Sequence, residues 1–368
     1  MMDLRFALEV GSTLCLQISI VIAMTAALQR WVVDARWGCR LWTTCFLCII
    51  GLVAAALLLP HRRLFHFPVT LSRESMLEIV VWQTRIAIAL LSVWTVGAVW
   101  SIVQRCWLCI GLLQFLRHEC DPIDAAELLQ ATDISSNECQ PLSICVSDKI
   151  QGPFCWQLHR PVVVLPSFMI NDHHAGDATL RHVLLHELEH LRTQHPMQHF
   201  LQGICSTLFW FHPMVRSAAH KAELTREFLC DEVAATTIGK FSAYLRTLAK
   251  VAEQCRRQPC NGAPKGTLAF GNDDSTLIRR SKRLVMLAEN KPARAHWRAI
   301  MALTTILLCA TLVQQVWLPT NVMASQRSDW SPWPSWTAKA LHQFNLQVRD
   351  FESFEDRVQM HELLTEED

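Results

Sequence analysis

The chain has 368 residues, 51% hydrophobic and 18% charged, with a mean hydropathy of +0.18 and a formal net charge of +1. That apolar content excludes a disordered chain, 12 glycines and 15 prolines exclude a collagen-like one, and the balanced charge offers no basic field for nucleic acid. What remains is a membrane protein with a substantial water-facing part; its 15 cysteines, odd in number and irregular in spacing, read as reduced thiols.

Three runs without a charged residue open the chain, at 10–29, 41–60 and 86–104. A fourth lies at 299–318. Each has about the 20 residues a helix needs to cross roughly 30 Å of hydrocarbon. Trp31, Trp37, Trp107, Trp297 and Trp317 stand near their ends, where an amphipathic ring prefers to lie. The first run is long for a signal peptide and lacks a clear cleavage site, so it is read as a retained span. Arg279, Arg280, Lys282, Arg283, Lys291, Arg294 and Arg298 precede the fourth run, and only Arg327 and Lys339 follow it closely. By the positive-inside rule the stretch before it is cytoplasmic and the C-terminal tail extracytoplasmic, although Arg62, Arg63, Arg73 and Arg85 in the second loop run against this orientation.

Between the third and fourth runs, Val162, Val163, Val164 and Leu165 stand between two prolines. They read as a short strand, at a sheet edge where it could align an extended peptide by backbone pairing, or equally in a core. Next comes a helix that Asp177 can cap and Pro196 should stop, carrying His186-Glu187-Leu188-Glu189-His190. Two histidines four apart project from one helix face and can share a zinc ion, while the glutamate after the first is placed to take a proton from the attacking water. With this composition the pattern arises by chance roughly 0.03 times per chain, so two incidental surface histidines are the lesser explanation.

Residues 200–215 carry no charge but are too short to cross comfortably, so they pack against the spans, against the membrane surface or in a core. A further helical stretch holds Glu227 and Asp231 on one face. Glu227 is the best third zinc ligand, with Glu223 one turn earlier and His182 as rivals; Asp231 is suited to accept the outer imidazole N–H of a ligand and fix its tautomer. Tyr244, the only tyrosine, and His212 are candidate oxyanion or substrate contacts. Cys45-x-x-Cys48 and Cys106-x-x-Cys109 sit in apolar helices and read as packing residues. The basic cluster 279–283 reads as a lipid anchor, 258–281 as an exposed linker open to self-cleavage, and 338–364 as a short amphipathic helix in an acidic tail.

These residues reach a known family. The HExxH motif, the Trp210-Phe211-His212-Pro213 step and Glu227-Phe228-Leu229-Cys230-Asp231 resemble the BlaR/MecR antirepressor metallopeptidases, membrane-bound gluzincins that regulate bacterial drug-resistance genes. So do Ser147-Asp148, Gly152-Pro153-Phe154, the run from Arg160 to Pro166 and the run that begins at Arg279. The resemblance covers roughly residues 1–318. It implies His186, His190 and Glu227 as ligands of one Zn2+ per chain, Glu187 as the base and Asp231 as a group that supports a ligand from behind. The family's β-lactam receptors carry a penicillin-binding domain with an SxxK serine after the last span; no SxxK follows the fourth run here, so direct β-lactam sensing is not expected.

The expected fold is a mainly α membrane protein with about four transmembrane helices and an α+β, gluzincin-like protease domain inserted between the third and fourth. The expected division is 1–116 (three spans), 117–298 (protease), 299–318 (fourth span) and 319–368 (tail). The expected function is a zinc metalloendopeptidase of the bacterial cytoplasmic membrane. Its resemblance-implied partner is a cytoplasmic transcriptional repressor as substrate, alongside the lipid bilayer, with no direct nucleic acid and a homodimer left open. The alternatives are a CAAX-type or quality-control protease and a non-catalytic zinc-bearing transducer.

Overall fold

The computed structural model describes residues 4–64, 72–134, 142–157, 160–171, 178–257, 274–289, 296–318 and 329–350. The chain opens with α1 (Leu4–Gln29), α2 (Ala35–Leu58) and α3 (Arg73–His118). Asp34 in the short α1–α2 turn starts α2, accepting hydrogen bonds from the Arg36 and Trp37 amides. A small region follows with β1 (Asp121–Ile123), α4 (Ala125–Ala131), β2 (Ser143–Ser147), β3 (Phe154–Trp156), β4 (Val162–Pro166) and α5 (Ser167–Asn171). Then come α6 (Thr179–Arg192), α7 (His195–Leu208), α8 (Pro213–Ile238), α9 (Phe241–Arg257), α10 (Asp274–Glu289), α11 (His296–Gln314) and α12 (Ser335–Gln343).

Among the described residues, four helices are long and apolar enough to cross a membrane: Phe6–Gln29, Ala35–Leu58, Glu74–His118 and His296–Gln314. They contain most of each expected span. The 46 residues of α3 extend about 69 Å, over twice the hydrocarbon thickness, so 86–104 is only its middle. It packs one stripe on α1 and α7 and leaves Trp82, Trp100 and Trp107 at the surface, as a lipid-facing helix would.

The bundle core joins Ile18 and Val21 of α1, Trp42, Phe46 and Ile49 of α2, and Ala302 and Ile306 of α11. Cys205 of α7, Phe209 just past its end, and Val215, Ala218 and Ala222 of α8 belong to the same core. The charge-free run 200–215 is therefore the tip of an α7–α8 hairpin set among the spans. Gly97 makes room for this tip: any Cβ there would overlap the Trp210 indole. Trp94 Nε1 donates to Leu208 O at 2.9 Å, and His212 Nε2 lies 3.3 Å from Ser19 Oγ and from Cys15 O in α1.

The sheet order is β1-β2-β4-β3, with β2 parallel to β4 and the other neighbours antiparallel. This corrects the edge-strand expectation for Val162, Val163, Val164 and Leu165. β4 is an interior strand, paired on both sides, with Val163 to Leu165 fully buried. Pro161 precedes it and Pro166 is its last residue, so neither removes an N–H from Val162 to Leu165. The edge strand packed against α6 is β3.

At the end of α2 away from Asp34, the described tail folds back. Arg63 N donates to Asp329 O at 2.7 Å, Ser331 N to His61 O at 2.8 Å, and Trp336 Nε1 to Leu57 O at 2.6 Å. Beneath it, Glu9 of α1 is fully buried and paired with Arg63 at 3.2 Å. The tail helix begins earlier than expected, at Ser335, and ends at Gln343; two residues on, Asn345 with a φ of 60° turns the chain away. Residues 351–364 of the expected helix, and Asp177 and 258–273 of the linker, lie outside the described residues.

Candidate metal centre

Helices α6 and α8 cross so that the face bearing His186 and His190 meets the face bearing Glu227. His186 Nε2 and His190 Nε2 lie 3.2 Å apart, and each is 3.4 Å from a Glu227 carboxylate oxygen. Ligands held about 2.0–2.1 Å from a tetrahedral zinc are themselves about 3.3 Å apart, so the three groups fit the ion. The donor set fits too: two imidazole nitrogens and a carboxylate converging on one point are a zinc-type ligand set, and a cation between them makes the arrangement favourable. The rivals lie elsewhere. Glu223 accepts from Gln202 Nε2 at 2.7 Å, and His182 Nδ1 lies 2.6 Å from Thr247 Oγ1.

Behind His186, its Nδ1 is 3.2 Å from Asp231 Oδ1 and 3.0 Å from the Tyr244 hydroxyl, which donates to Asp231 at 2.8 Å. Asp231 thus lies against the outer ring nitrogen of His186. The Tyr244 hydroxyl also lies on the Nδ1 side of the ring, away from the Nε2 that meets Glu227, so the oxyanion expectation gives way to a supporting contact. His212 is also displaced. Fifteen residues before Glu227 on one helix, it is about 22 Å away and bonded to α1.

Arg280 of α10 completes the cluster. It grips Asp231 through Nε and Nη2 at 2.7 and 2.6 Å and reaches Glu227 through Nη1 at 3.0 Å. This corrects the lipid-anchor reading of 279–283 for Arg280, which is buried. A signal was present: Leu277, Arg280, Leu284 and Leu287 form one helical stripe, and Arg280 is its single polar member.

The electrostatics follow from these contacts. Burial alone would raise the Asp231 carboxyl, but the Arg280 guanidinium and His186 hold it at about 2. Burial also opposes protonation of His186, yet Asp231 and Glu227 lift it to about 9; His190 is pushed down to about 3 by burial first, then by the charges of His186 and Arg280, against the pull of Glu227. Burial raises Glu187 to about 7, in the range of a general base working near neutrality. The thiol of Cys155, on edge strand β3, hydrogen-bonds Glu187.

The centre lies close to the ends of two candidate spans. Gln29 Nε2 of α1 donates to Thr225 Oγ1 at 2.9 Å, two residues before Glu227. A Cβ at Gly38 of α2 would come within 2.9 Å of the Thr225 methyl. Buried Glu189, inside the HExxH motif, meets Arg36 in the first turn of α2 at 3.9 Å. A second cluster, His190, His195 and Cys230, adjoins the first through the other edge of His190.

Compared with known families, a model described as BlaR1 peptidase M56 matches residues 6–280. That range takes in α1 to α3, the sheet, the HExxH helix, Glu227, Asp231 and Arg280. No curated protein matches the chain.

Proposed function

The chain belongs to the BlaR1 peptidase M56 family, and from that membership we propose that it is an integral-membrane zinc endopeptidase acting on the cytoplasmic side. The observation that carries the reading is the meeting of His186 Nε2, His190 Nε2 and the Glu227 carboxylate at 3.2–3.4 Å, with Glu187 buried next to the first ligand. A structural zinc site has no need of such a glutamate.

In this account His186, His190 and Glu227 hold zinc. When bound there, zinc supplies the Lewis acidity that polarises a peptide carbonyl and acidifies water. Glu187 accepts the proton of the attacking water on its carboxylate and delivers it to the nitrogen of the leaving amine. Asp231 and Tyr244 orient His186, and Arg280 keeps the Asp231 and Glu227 carboxylates ionised in a buried setting.

The proposed substrate is a cytoplasmic transcriptional repressor whose cleavage switches genes on, with the protease part lying between α3 and α11 and the tail outside. Support comes from the family and from the basic residues before α11. Two charges that spoke against this orientation are paired, Arg63 with Glu9 and Arg62 with Asp329. The test is cleavage by membranes carrying wild-type protein or Glu187→Gln. Zinc retained with cleavage abolished is the expected result for the variant; cleavage by Glu187→Gln at the wild-type rate overturns the base assignment.

A further inference from the structure

His190 faces two ways. Its Nε2 meets His186 and Glu227, while its Nδ1 lies 3.0 Å from Nδ1 of His195, whose ring is completely buried. On an unbroken helix, residues five apart stand about 140° round the axis and cannot touch. Here α6 ends at Arg192, Gln194 takes a left-handed conformation with φ 55°, and the chain reverses into α7 with His195 at its first position. Pro196, expected to stop the HExxH helix, instead lies in the first turn of the next. That break brings His195 back against His190.

Resting on the zinc reading above, we propose that His195 is a positioning residue for the centre: its Nδ1 accepts the His190 Nδ1–H and so fixes the tautomer and ring plane that present His190 Nε2 to the metal. The chemistry leaves little choice. A ligating nitrogen must offer its lone pair, so the His190 proton sits on Nδ1. Two ring nitrogens 3.0 Å apart then need one acceptor, which is His195 Nδ1. The His195 proton is accordingly on Nε2, an atom with no hydrogen-bond partner among the described residues. Among the described residues, the buried ring has one strong polar contact, the one to His190, besides the weaker approach of Cys230 Sγ at 3.5 Å.

The same geometry argues against a second metal in the His190–His195–Cys230 cluster. His190 would have to give up both nitrogens at once to serve two ions. The cluster is a brace for the first site.

The test is zinc retention of the detergent-purified full chain against increasing chelator, for wild type, His195→Asn, His195→Gln and His195→Leu. Asn places its amide oxygen where Nδ1 stood, Gln carries its amide further out, and Leu offers no acceptor. Zinc affinity is expected to fall about 10–100-fold in the Leu and Gln variants and to stay within about threefold of wild type in the Asn variant. Equal retention by wild type and the Leu variant overturns the proposal, as does an Asn variant as weak as Leu or a Gln variant that outperforms Asn. Wild type that binds no zinc sinks the underlying site reading instead, so the two failures are distinguishable.

Discussion

Arg280 and Asp231 form a two-pronged ion pair directly behind His186, with Nε to Oδ2 at 2.7 Å and Nη2 to Oδ1 at 2.6 Å. Both are buried, and the third guanidinium nitrogen reaches Glu227. One arginine from α10 therefore neutralises carboxylates that α8 aims into the site.

Replacing Arg280 by Ala leaves buried Asp231 and half-buried Glu227 without their cation. The expected loss is about 3–5 kcal/mol of stability, the usual result of removing one partner from a buried pair. Arg280→Lys should recover only part of it, because a single ammonium cannot reproduce the fork. Denaturant unfolding in detergent reads both; an Arg280→Ala protein as stable as wild type contradicts the arrangement.

Tyr244 separates two roles by magnitude. As a supporting contact on Asp231, its hydroxyl contributes about 1 kcal/mol, so Tyr244→Phe should slow cleavage less than tenfold. As an oxyanion donor its loss would cost about 10²–10³ in kcat. Steady-state kinetics on one peptide substrate distinguish the two, and the position of the hydroxyl beside His186 Nδ1 predicts the smaller effect.

Gly97 tests the α7–α8 hairpin. A methyl group at that position overlaps the Trp210 indole, so Gly97→Ala should destabilise the protein by about 1–3 kcal/mol through overpacking. Adding Trp210→Ala should recover much of that loss by clearing the space, which an unrelated defect at Gly97 would not allow. Thermal unfolding of the single and double variants provides the comparison.

The parts of the site written in local spacing were legible. His186 and His190 lie four apart, as do Glu227 and Asp231, and helix geometry alone aligns each pair. The family resemblance seen in those motifs holds over residues 6–280. What depended on packing was harder. Tyr244 and Arg280 reach Asp231 from α9 and α10, and nothing in their own spacing names that partner. Arg280 did stand out on an otherwise apolar stripe, yet a run of basic residues before a span reads first as a lipid anchor. His195 meets His190 only because Gln194 breaks the helix. The prolines around Val162 to Leu165 suggested an edge strand, whereas sheet order is decided by partners distant in sequence.

The measurement that tests the central claim most directly is the zinc content of the detergent-purified protein, wild type beside Glu227→Ala and Glu223→Ala. The account predicts about one zinc per chain, lost with Glu227→Ala and kept with Glu223→Ala, whose carboxylate is committed to Gln202. A folded wild-type protein without zinc, or zinc that survives Glu227→Ala and leaves with Glu223→Ala, would contradict it.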